Sequence, residues 1–210
     1  MIFRLFSRAP FGMSTFASLK GLSTLISGGG AGLGLATARR LVNHGCNVVV
    51  CDINKSKSFQ DIEDKCIFVK TDITSESDIK KALEIVESKF SHLNVLVNCA
   101  GIAYGRKIFS DQSGKLHSLE EFKKVIDINV TGTFNMTRMA IALMMKAQAN
   151  ADGQRGVIIN TSSVAAFEGQ TGQVAYSASK GAIVSMTLPI ARDLARVGIR
   201  AMTIAPGKSK

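Results

Sequence analysis

The sequence predicts an α/β fold in which helices flank both faces of one doubly wound parallel sheet. Three observations support this prediction. Short apolar segments of strand length alternate with longer segments of helical periodicity along the 210 residues. A glycine-rich turn, 27–34 (Ser-Gly-Gly-Gly-Ala-Gly-Leu-Gly), follows the first apolar segment and leads into a helical one. The second apolar segment ends at an acid, Asp52, which lies 18 residues beyond Gly34.

The composition predicts one globular domain, residues 21–210, with a substantial core. The hydrophobic fraction of 46% and the charged fraction of 20% are ordinary for a water-soluble protein. No apolar run approaches the roughly 18 residues that a membrane span requires. The four cysteines show no C-x-x-C spacing and the three histidines do not group with them, so we expect reduced thiols and no metal site. The net charge of +10 would attract dinucleotides, acyl-CoA phosphates or RNA alike, so it does not select a partner.

Residues 1–20 differ in composition from the rest of the chain. They are rich in Ser and Phe and include Arg4, Arg8 and Lys20 but no acid. This composition is typical of a mitochondrial transit peptide, with a disordered basic tail as the alternative. We therefore expect the protein in the mitochondrial matrix.

The first half of the chain contains four predicted strands and two helices. The strands are residues 22–27, 47–51, 66–70 and 94–97. The first helix, 35–44, follows the glycine-rich turn. The second follows the third strand, where Ser75 and Asp78 resemble a capping box.

The second half begins with a polar, basic excursion at residues 102–118, which is either a solvated loop or an insertion that shapes a binding site. Helical periodicity then runs over 119–145 and is interrupted near 130–132. There the amide of Asn129 could satisfy backbone groups freed by a kink and hold a water. A fifth strand (157–160), a long helix (176–196) and a sixth strand (199–205) follow. Pro189 predicts a kink or a local break in the long helix.

The glycine-rich turn and Asp52 together indicate a dinucleotide site. Glycines allow positive φ in a tight turn and let the backbone approach a pyrophosphate, which then lies at a helix N-terminus. A carboxylate at Asp52 can accept hydrogen bonds from both adenosine ribose hydroxyls and would repel a 2′-phosphate. The turn contains no Arg or Lys, so NAD is favoured over NADP. The alternative is that Asp52 merely caps the end of its strand.

A second group of polar residues indicates proton transfer. Tyr176 and Lys180 are four residues apart and share one helix face, so the lysine ammonium could favour the phenolate form of the tyrosine. The hydroxyls of 161–163 lie at the carboxyl end of the fifth strand, where open α/β sheets bind ligands. Two of the three could only cap the next turn, whereas one is placed to donate a hydrogen bond to a substrate carbonyl. A Tyr-x-x-x-Lys spacing also occurs by chance in many helices.

The ordered combination of these motifs resembles the short-chain dehydrogenase/reductase family. The residues that carry the resemblance are the glycine-rich turn, Asp52, Asp72, Asn98-Cys99-Ala100-Gly101, Asn129, Ser163, Tyr176 and Lys180. The resemblance extends from about Leu19 to Gly207 and implies the Rossmann fold of that family with NAD as cofactor. One departure is Ser27, which replaces the usual Thr and keeps the hydroxyl.

The resemblance also implies a role for each residue. Ser163 would hold and polarise the substrate oxygen, Tyr176 would take the hydroxyl proton, Lys180 would bind the nicotinamide ribose, and Asn129 would hold a relay water. Hydride would pass from the substrate carbon to NAD. The residues expected to contact the cofactor, in addition to Tyr176 and Lys180, are Gly28, Ala31, Gly32, Leu33 and Gly34 at the pyrophosphate, Asp52 at the adenosine ribose, Asp72 and Ile73 at the adenine, and Cys99 at its middle.

Residues 155–170 and 176–194 resemble, more narrowly, a mitochondrial branch of the family that acts on 3-hydroxyacyl-CoA and on hydroxysteroids. That branch implies a homotetramer and, in animals, participation in a tRNA-processing complex. Family members continue beyond the Pro-Gly pair at 206–207 into a seventh strand and a substrate-covering loop, which the 210 residues lack. A shortened NAD-binding protein with weak or no turnover is therefore an alternative expectation, and an interaction role is another.

Overall fold

The computed structural model describes residues 18–207, so most of the predicted targeting segment lies outside the described residues, as do residues 208–210. The main sheet contains six parallel strands, β1 Ser23–Ser27, β2 Asn47–Asp52, β3 Ile67–Lys70, β4 Val95–Asn98, β7 Gly156–Thr161 and β8 Ile199–Ile204. Their order across the sheet is β3-β2-β1-β4-β7-β8. The predicted doubly wound parallel sheet is confirmed.

Within residues 18–207, five α-helices connect these strands, together with 3-10 segments. The helices are α1 Gly32–Asn43, α2 Glu76–Phe90, α3 Leu119–Ile126, α4 Thr133–Met144 and α5 Val174–Leu194. None of the helices within residues 18–207 is long and apolar enough to cross a membrane. The predicted cap of α2 is present, since the Ser75 hydroxyl accepts a hydrogen bond from the Asp78 amide at 3.3 Å.

The sheet separates two apolar layers. Leu25, Leu96 and Ile158 face one side, where they join buried residues of α2, α4 and α5. Ile26 and Val97 face the other side, where they pack with α1 and with the 3-10 segment Lys57–Lys65. Because neighbouring residues of a strand point to opposite faces, strands covered on both sides are nearly all apolar, as the sequence shows.

The strand order fixes the position of the ligand crevice. From β1 the chain moves outward to β2 and β3, then returns to β4 on the other side of β1 and continues to β7 and β8. The carboxyl ends of β1 and β4 therefore lie side by side where the order reverses. Open α/β sheets bind their ligands at such a switch point.

Two further segments bear on the sequence predictions. Residues 102–118 contain an antiparallel hairpin, β5 Phe109–Ser110 and β6 Lys115–Leu116, and the Arg106 amide attaches this segment to the Gly172 carbonyl at 2.8 Å. The predicted interruption of helix 119–145 is confirmed, because the π-helical turn Asp127–Gly132 separates α3 from α4.

Of the two alternatives predicted at Pro189, a kink or a local break, the structure contradicts the break. Helix α5 continues through Pro189 to Leu194 without interruption. A proline has no N–H, so the carbonyl four residues earlier, here that of Ser185, has no helical partner. Both Ser185 and Pro189 are exposed, so water can satisfy that carbonyl and the helix continues.

Candidate functional site

A cleft of about 410 Å³ opens at the carboxyl ends of β1, β2 and β4. Nine of the eleven residues predicted to contact a dinucleotide line it. They are Gly28, Ala31, Gly32, Leu33, Gly34, Asp52, Asp72, Ile73 and Cys99. Other lining residues, such as Ile102 and Ile128, were not predicted, because an isolated isoleucine between motifs carries no sequence signal.

The glycine-rich turn packs closely against its neighbours and leaves open space for a ligand at the start of α1. A Cβ on Gly28 (φ +70°) would lie 2.4 Å from the Ala100 nitrogen, and one on Gly34 would lie 2.1 Å from the Gly28 oxygen. These glycines bring β1, β4 and α1 into contact. By contrast, a Cβ on Gly32 (φ +52°) meets nothing within 4 Å, so open space lies beside it at the start of α1.

The N-terminus of α1 is available to an anion. Its N-cap, Ala31, makes no side-chain hydrogen bond, and its first turn contains no acid. The helices α2 and α3 differ, because Ser75 and Ser118 cap them and acids occupy their first turns. Uncapped N–H groups and the helix dipole favour a phosphate at α1.

Asp52 ends β2 and lines the cleft. One oxygen accepts a hydrogen bond from the Gly30 amide at 2.9 Å, and the other from the Asn54 amide at 3.3 Å. The nearby cation of Lys55 is engaged elsewhere, since its ammonium pairs with Glu63 and lies over the ring of Phe68, 4.8 Å from the centroid. The carboxylate is therefore the fixed charge at this point of the cleft.

Asp72 and Ile73, which follow β3, line another part of the cleft. The Asp72 carboxylate accepts hydrogen bonds from the Thr74 amide (2.9 Å) and hydroxyl (2.7 Å). Ile73 is buried against the π-helical turn, where a Cβ on Gly132 would lie 2.7 Å from the Ile73 Cδ1. The absence of a side chain at Gly132 lets the π-helical turn approach Ile73 and the cleft.

Lys180 lies behind the cleft, only 6% exposed. Its Nζ donates a hydrogen bond to the Thr161 carbonyl at 2.7 Å and lies 5.7 Å from the centroid of the Tyr176 ring. A Cβ on Gly101, which lines the cleft, would be 3.7 Å from this Nζ. The predicted pairing of Tyr176 and Lys180 on one helix face is thus present, beside the cleft rather than in its lining.

Burial alters the chemistry of two groups here. Desolvation lowers the pKa of the Lys180 ammonium, although the neighbouring Cys99 opposes that effect. Desolvation likewise raises the pKa of the Cys99 thiol, which lies 3.4 Å from the Thr161 hydroxyl. Cys99 is therefore a neutral thiol at physiological pH, in contact with the strand end that holds Lys180.

The three hydroxyls at the end of β7 have different environments. Thr161 contacts Cys99, and buried Ser162 donates a hydrogen bond to the Lys180 carbonyl at 2.8 Å. The Ser163 oxygen accepts a hydrogen bond from the Ala165 amide at 3.1 Å and so caps the 3-10 turn Val164–Ala166, which packs against α5. The Ser163 hydrogen is still free to donate, so capping the turn does not prevent it from binding a substrate oxygen.

Asn129 is 1% exposed and makes three hydrogen bonds that the sequence did not reveal. Its Oδ1 accepts from the Ile102 amide at 2.8 Å, and its Nδ2 donates to the Ile102 carbonyl at 2.8 Å and to the Ser179 hydroxyl at 3.0 Å. The amide therefore binds the segment after β4, whereas the sequence suggested that it would satisfy backbone groups of the kink itself. Both amide hydrogens are used by the protein.

A buried polar row beneath the cleft was also missed. The Ser27 hydroxyl donates to the Asn98 Oδ1 at 3.2 Å, and the Asn98 Nδ2 donates to the Asn160 Oδ1 at 2.9 Å. These residues are directly aligned in β1, β4 and β7. The row joins the three strand ends that bear the glycine-rich turn, the 99–101 segment and the 161–163 hydroxyls.

This cleft and the groups behind it define a dinucleotide-dependent oxidoreductase. A family model described as short chain dehydrogenase matches residues 23–210, and the chain belongs to the short-chain dehydrogenase/reductase family.

Two relatives are similar to this chain in sequence. The chain is 53% identical over 193 residues to 3-hydroxyacyl-CoA dehydrogenase type-2 of Homo sapiens, a match that covers 90% of this chain and 74% of the relative. It is 51% identical over 192 residues to the protein of the same name from Drosophila melanogaster, and this match covers 90% of this chain and 75% of the relative.

Two solved structures are similar as well. That of 3-hydroxyacyl-CoA dehydrogenase type-2 from Mycobacterium avium matches with a TM-score of 0.83 and 36% identity, covering 90% of this chain and 76% of the other. The structure of 3-ketoacyl-(acyl-carrier-protein) reductase from Brucella melitensis, complexed with NADH, matches with a TM-score of 0.78 and 33% identity. This match covers 90% of this chain and 77% of the other.

Proposed function

We propose that this chain oxidises the hydroxyl of 3-hydroxyacyl-CoA thioesters to a ketone, with NAD as the hydride acceptor. The observation that carries the proposal is the position of Lys180, which is buried beside both the dinucleotide cleft and the Tyr176 ring. A cation held in this place can serve the cofactor and the proton-transfer residue together.

The residues of the cleft fit a nicotinamide dinucleotide. The uncapped N-terminus of α1 would bind the pyrophosphate, Asp52 the adenosine ribose, Asp72 and Ile73 the adenine side, and Cys99 the middle of the molecule. NAD, when bound, supplies an electrophilic ring carbon that accepts hydride. Lys180 would contact the nicotinamide ribose from behind Gly101.

The choice of NAD over NADP rests on charge. The Asp52 carboxylate is fixed by two backbone amides, so it cannot turn away from a ligand at the ribose position. Two negative groups in contact repel each other, and Lys55 is already paired with Glu63. A 2′-phosphate would therefore be disfavoured in this cleft.

Proton transfer would involve Ser163, Tyr176 and Lys180. The Ser163 hydroxyl, whose hydrogen is free, would donate to the substrate oxygen and orient it. The Tyr176 phenolate would take the hydroxyl proton, and the Lys180 cation near its ring would stabilise that phenolate. Asn129 would act through the positions of its neighbours, with a relay water as a further prediction.

Two features support a long substrate with an anionic carrier. Arg106 and Lys107 line a cleft of about 600 Å³ that also contacts Ser177, the residue after Tyr176. Both cations form exposed ion pairs, Arg106 with Glu121 at 3.7 Å and Lys107 with Asp111 at 3.1 Å. Exposed pairs of this kind contribute little stability, so the phosphates of coenzyme A could replace these partners. The names of the human and fly relatives favour the same substrate class.

Hydroxysteroids are a second candidate substrate class. Phe167, Val164 and Val174 are 70%, 41% and 44% exposed and flank Ser163 and Tyr176 in the sequence. Such apolar surface suits a rigid apolar substrate as well as an acyl chain. The mitochondrial matrix location, the homotetramer and the tRNA-processing partner stay predictions.

The test is NADH formation by the purified chain from NAD and 3-hydroxybutyryl-CoA. We expect turnover, and we expect Tyr176→Phe to lower kcat by about 10²–10⁴-fold, the usual contribution of a proton-transfer group. The matched control is Tyr104→Phe, which changes the other of the two tyrosines and should leave kcat unchanged. NAD binding without turnover would indicate a cofactor-binding protein and would reject the proposed reaction.

A further inference from the structure

Ser179 is the residue of α5 immediately before Lys180, and its side chain is completely buried. Its hydroxyl donates to the Tyr176 carbonyl at 2.7 Å, within the same helix, and accepts from the Asn129 Nδ2 at 3.0 Å. A buried hydroxyl that uses both its donor and an acceptor position is fixed in orientation. Ser179 thus joins the turn of α5 that carries Tyr176 and Lys180 to the π-helical turn that carries Asn129.

The connection continues into the dinucleotide cleft. Asn129 holds both backbone groups of Ile102, each at 2.8 Å, and Ile102 lines the cleft. One continuous set of hydrogen bonds therefore runs from the cleft lining through Asn129 and Ser179 to the backbone of Tyr176. Ser179 supplies the link to α5 in this set.

Removing the Ser179 hydroxyl would leave one amide hydrogen of Asn129 without a partner in a site that water does not reach. Such an orphaned donor is costly, so the Asn129 side chain would rotate or its neighbours would shift. An alanine at position 179 would otherwise suit the helix better than serine, because serine favours helix ends over helix interiors. Serine is thus less favourable than alanine for the helix itself, and the contact of this hydroxyl that reaches outside the helix is the one with Asn129.

We infer that Ser179 is a positioning residue of this enzyme, holding Tyr176 and Lys180 in register with the cofactor cleft through Asn129. The inference rests on the proposed function for its kinetic consequences. Ser179 touches neither substrate nor cofactor in this scheme. Its effect is on the alignment of the proton-transfer residues, so it should change kcat more than cofactor affinity.

The kinetic test compares Ser179→Ala with Ser185→Ala, a matched change on the exposed side of the same helix. We expect Ser179→Ala to lower kcat about tenfold at saturating NAD and 3-hydroxybutyryl-CoA, because small displacements of proton-transfer groups slow the reaction, with the Kd for NAD changed less than about threefold. Ser185→Ala should leave both constants unchanged. A purely structural role would lower stability without lowering kcat of the folded protein, and an unchanged kcat would overturn the inference.

A second readout does not depend on activity. The Ile102 amide donates to Asn129, so its hydrogen exchange in Ser179→Ala should be about tenfold faster than in the wild type, while that of Leu96 in β4 stays the same. Equal Ile102 protection in both proteins would overturn the inference even if the wild type proves inactive towards 3-hydroxybutyryl-CoA. If the alanine variant does not fold, Ser179→Cys carries the same measurements, because a thiol fills the site with weaker hydrogen bonds.

Discussion

Replacing Asp52 with asparagine tests the cofactor assignment most sharply. The substitution keeps the shape of the side chain and one oxygen, which can still accept from the Gly30 amide as the carboxylate does at 2.9 Å. It gives up only the longer hydrogen bond from the Asn54 amide, at 3.3 Å. It removes the negative charge. The glycine-rich turn and the rest of the cleft should therefore stay in place.

The expected magnitude has two parts. Hydrogen bonds to a charged acceptor contribute about 1.5–3 kcal/mol and those to a neutral acceptor about 1 kcal/mol, so two ribose hydroxyls should lose about 1–4 kcal/mol in total. The Kd for NAD should accordingly increase about 5- to 800-fold. For NADP, the repulsion removed is about 4 kcal/mol for unit charges 4 Å apart near a protein surface, so NADP should bind more tightly in the variant.

The assay is isothermal titration calorimetry of the wild type and Asp52→Asn with NAD and with NADP. Asp111→Asn is the control, because it makes the same charge change in the exposed hairpin far along the chain. The preference for NAD over NADP should fall at least about tenfold in Asp52→Asn and persist in the control. An unchanged preference in Asp52→Asn would refute the assignment of Asp52 to the adenosine ribose.

Three other changes test the packing and ionisation of the site. Gly34→Ala places a Cβ 2.1 Å from the Gly28 oxygen and should cost about 1–3 kcal/mol of unfolding free energy in urea denaturation, whereas Gly181→Ala, with open space around its Cβ, should not destabilise the protein. Burial lowers the pKa of Lys180 below 10.5 in the folded protein, so the unfolded chain retains this proton to higher pH. The free energy of unfolding of the wild type should therefore increase relative to that of Lys180→Met as the pH rises from neutral towards about 10. A difference between the two proteins that stays constant with pH would contradict the pKa shift. Burial raises the pKa of the Cys99 thiol above 9.0, so its alkylation, measured by peptide mass spectrometry, should be slow at neutral pH. Because Cys99 lines the cleft, bound NAD should slow its alkylation further. Equal rates with and without NAD would place the cofactor elsewhere.

The sequence predicted those features that depend on neighbouring residues. The strands and the glycine-rich turn follow from local apolar patterns and from the steric needs of a turn. The cap of α2 likewise depends on residues three apart, Ser75 and Asp78. The cleft was foreseen because its lining residues come from the ends of consecutive strands, where local motifs carry most of the information.

The parts that were missed involve partners far apart in the chain. Asn129 was recognised at the helix interruption, but its contacts with Ile102 and Ser179 join residues 27 and 50 positions away. Ser179 itself looks like an ordinary helical serine until the fold brings Asn129 to it. The continuity of α5 through Pro189 depends on solvent exposure of the carbonyl at Ser185, which tertiary packing decides.

The most direct test of the proposed reaction follows the hydrogen atom itself. The substrate is 3-hydroxybutyryl-CoA with deuterium on the carbon that bears the hydroxyl, incubated with NAD and the purified chain. Mass spectrometry of the reduced cofactor should find the deuterium transferred to it, and Tyr176→Phe should slow that transfer while retaining NAD binding. Reduced cofactor without deuterium, or an absence of reduced cofactor from a protein that binds NAD, would contradict hydride transfer from this substrate.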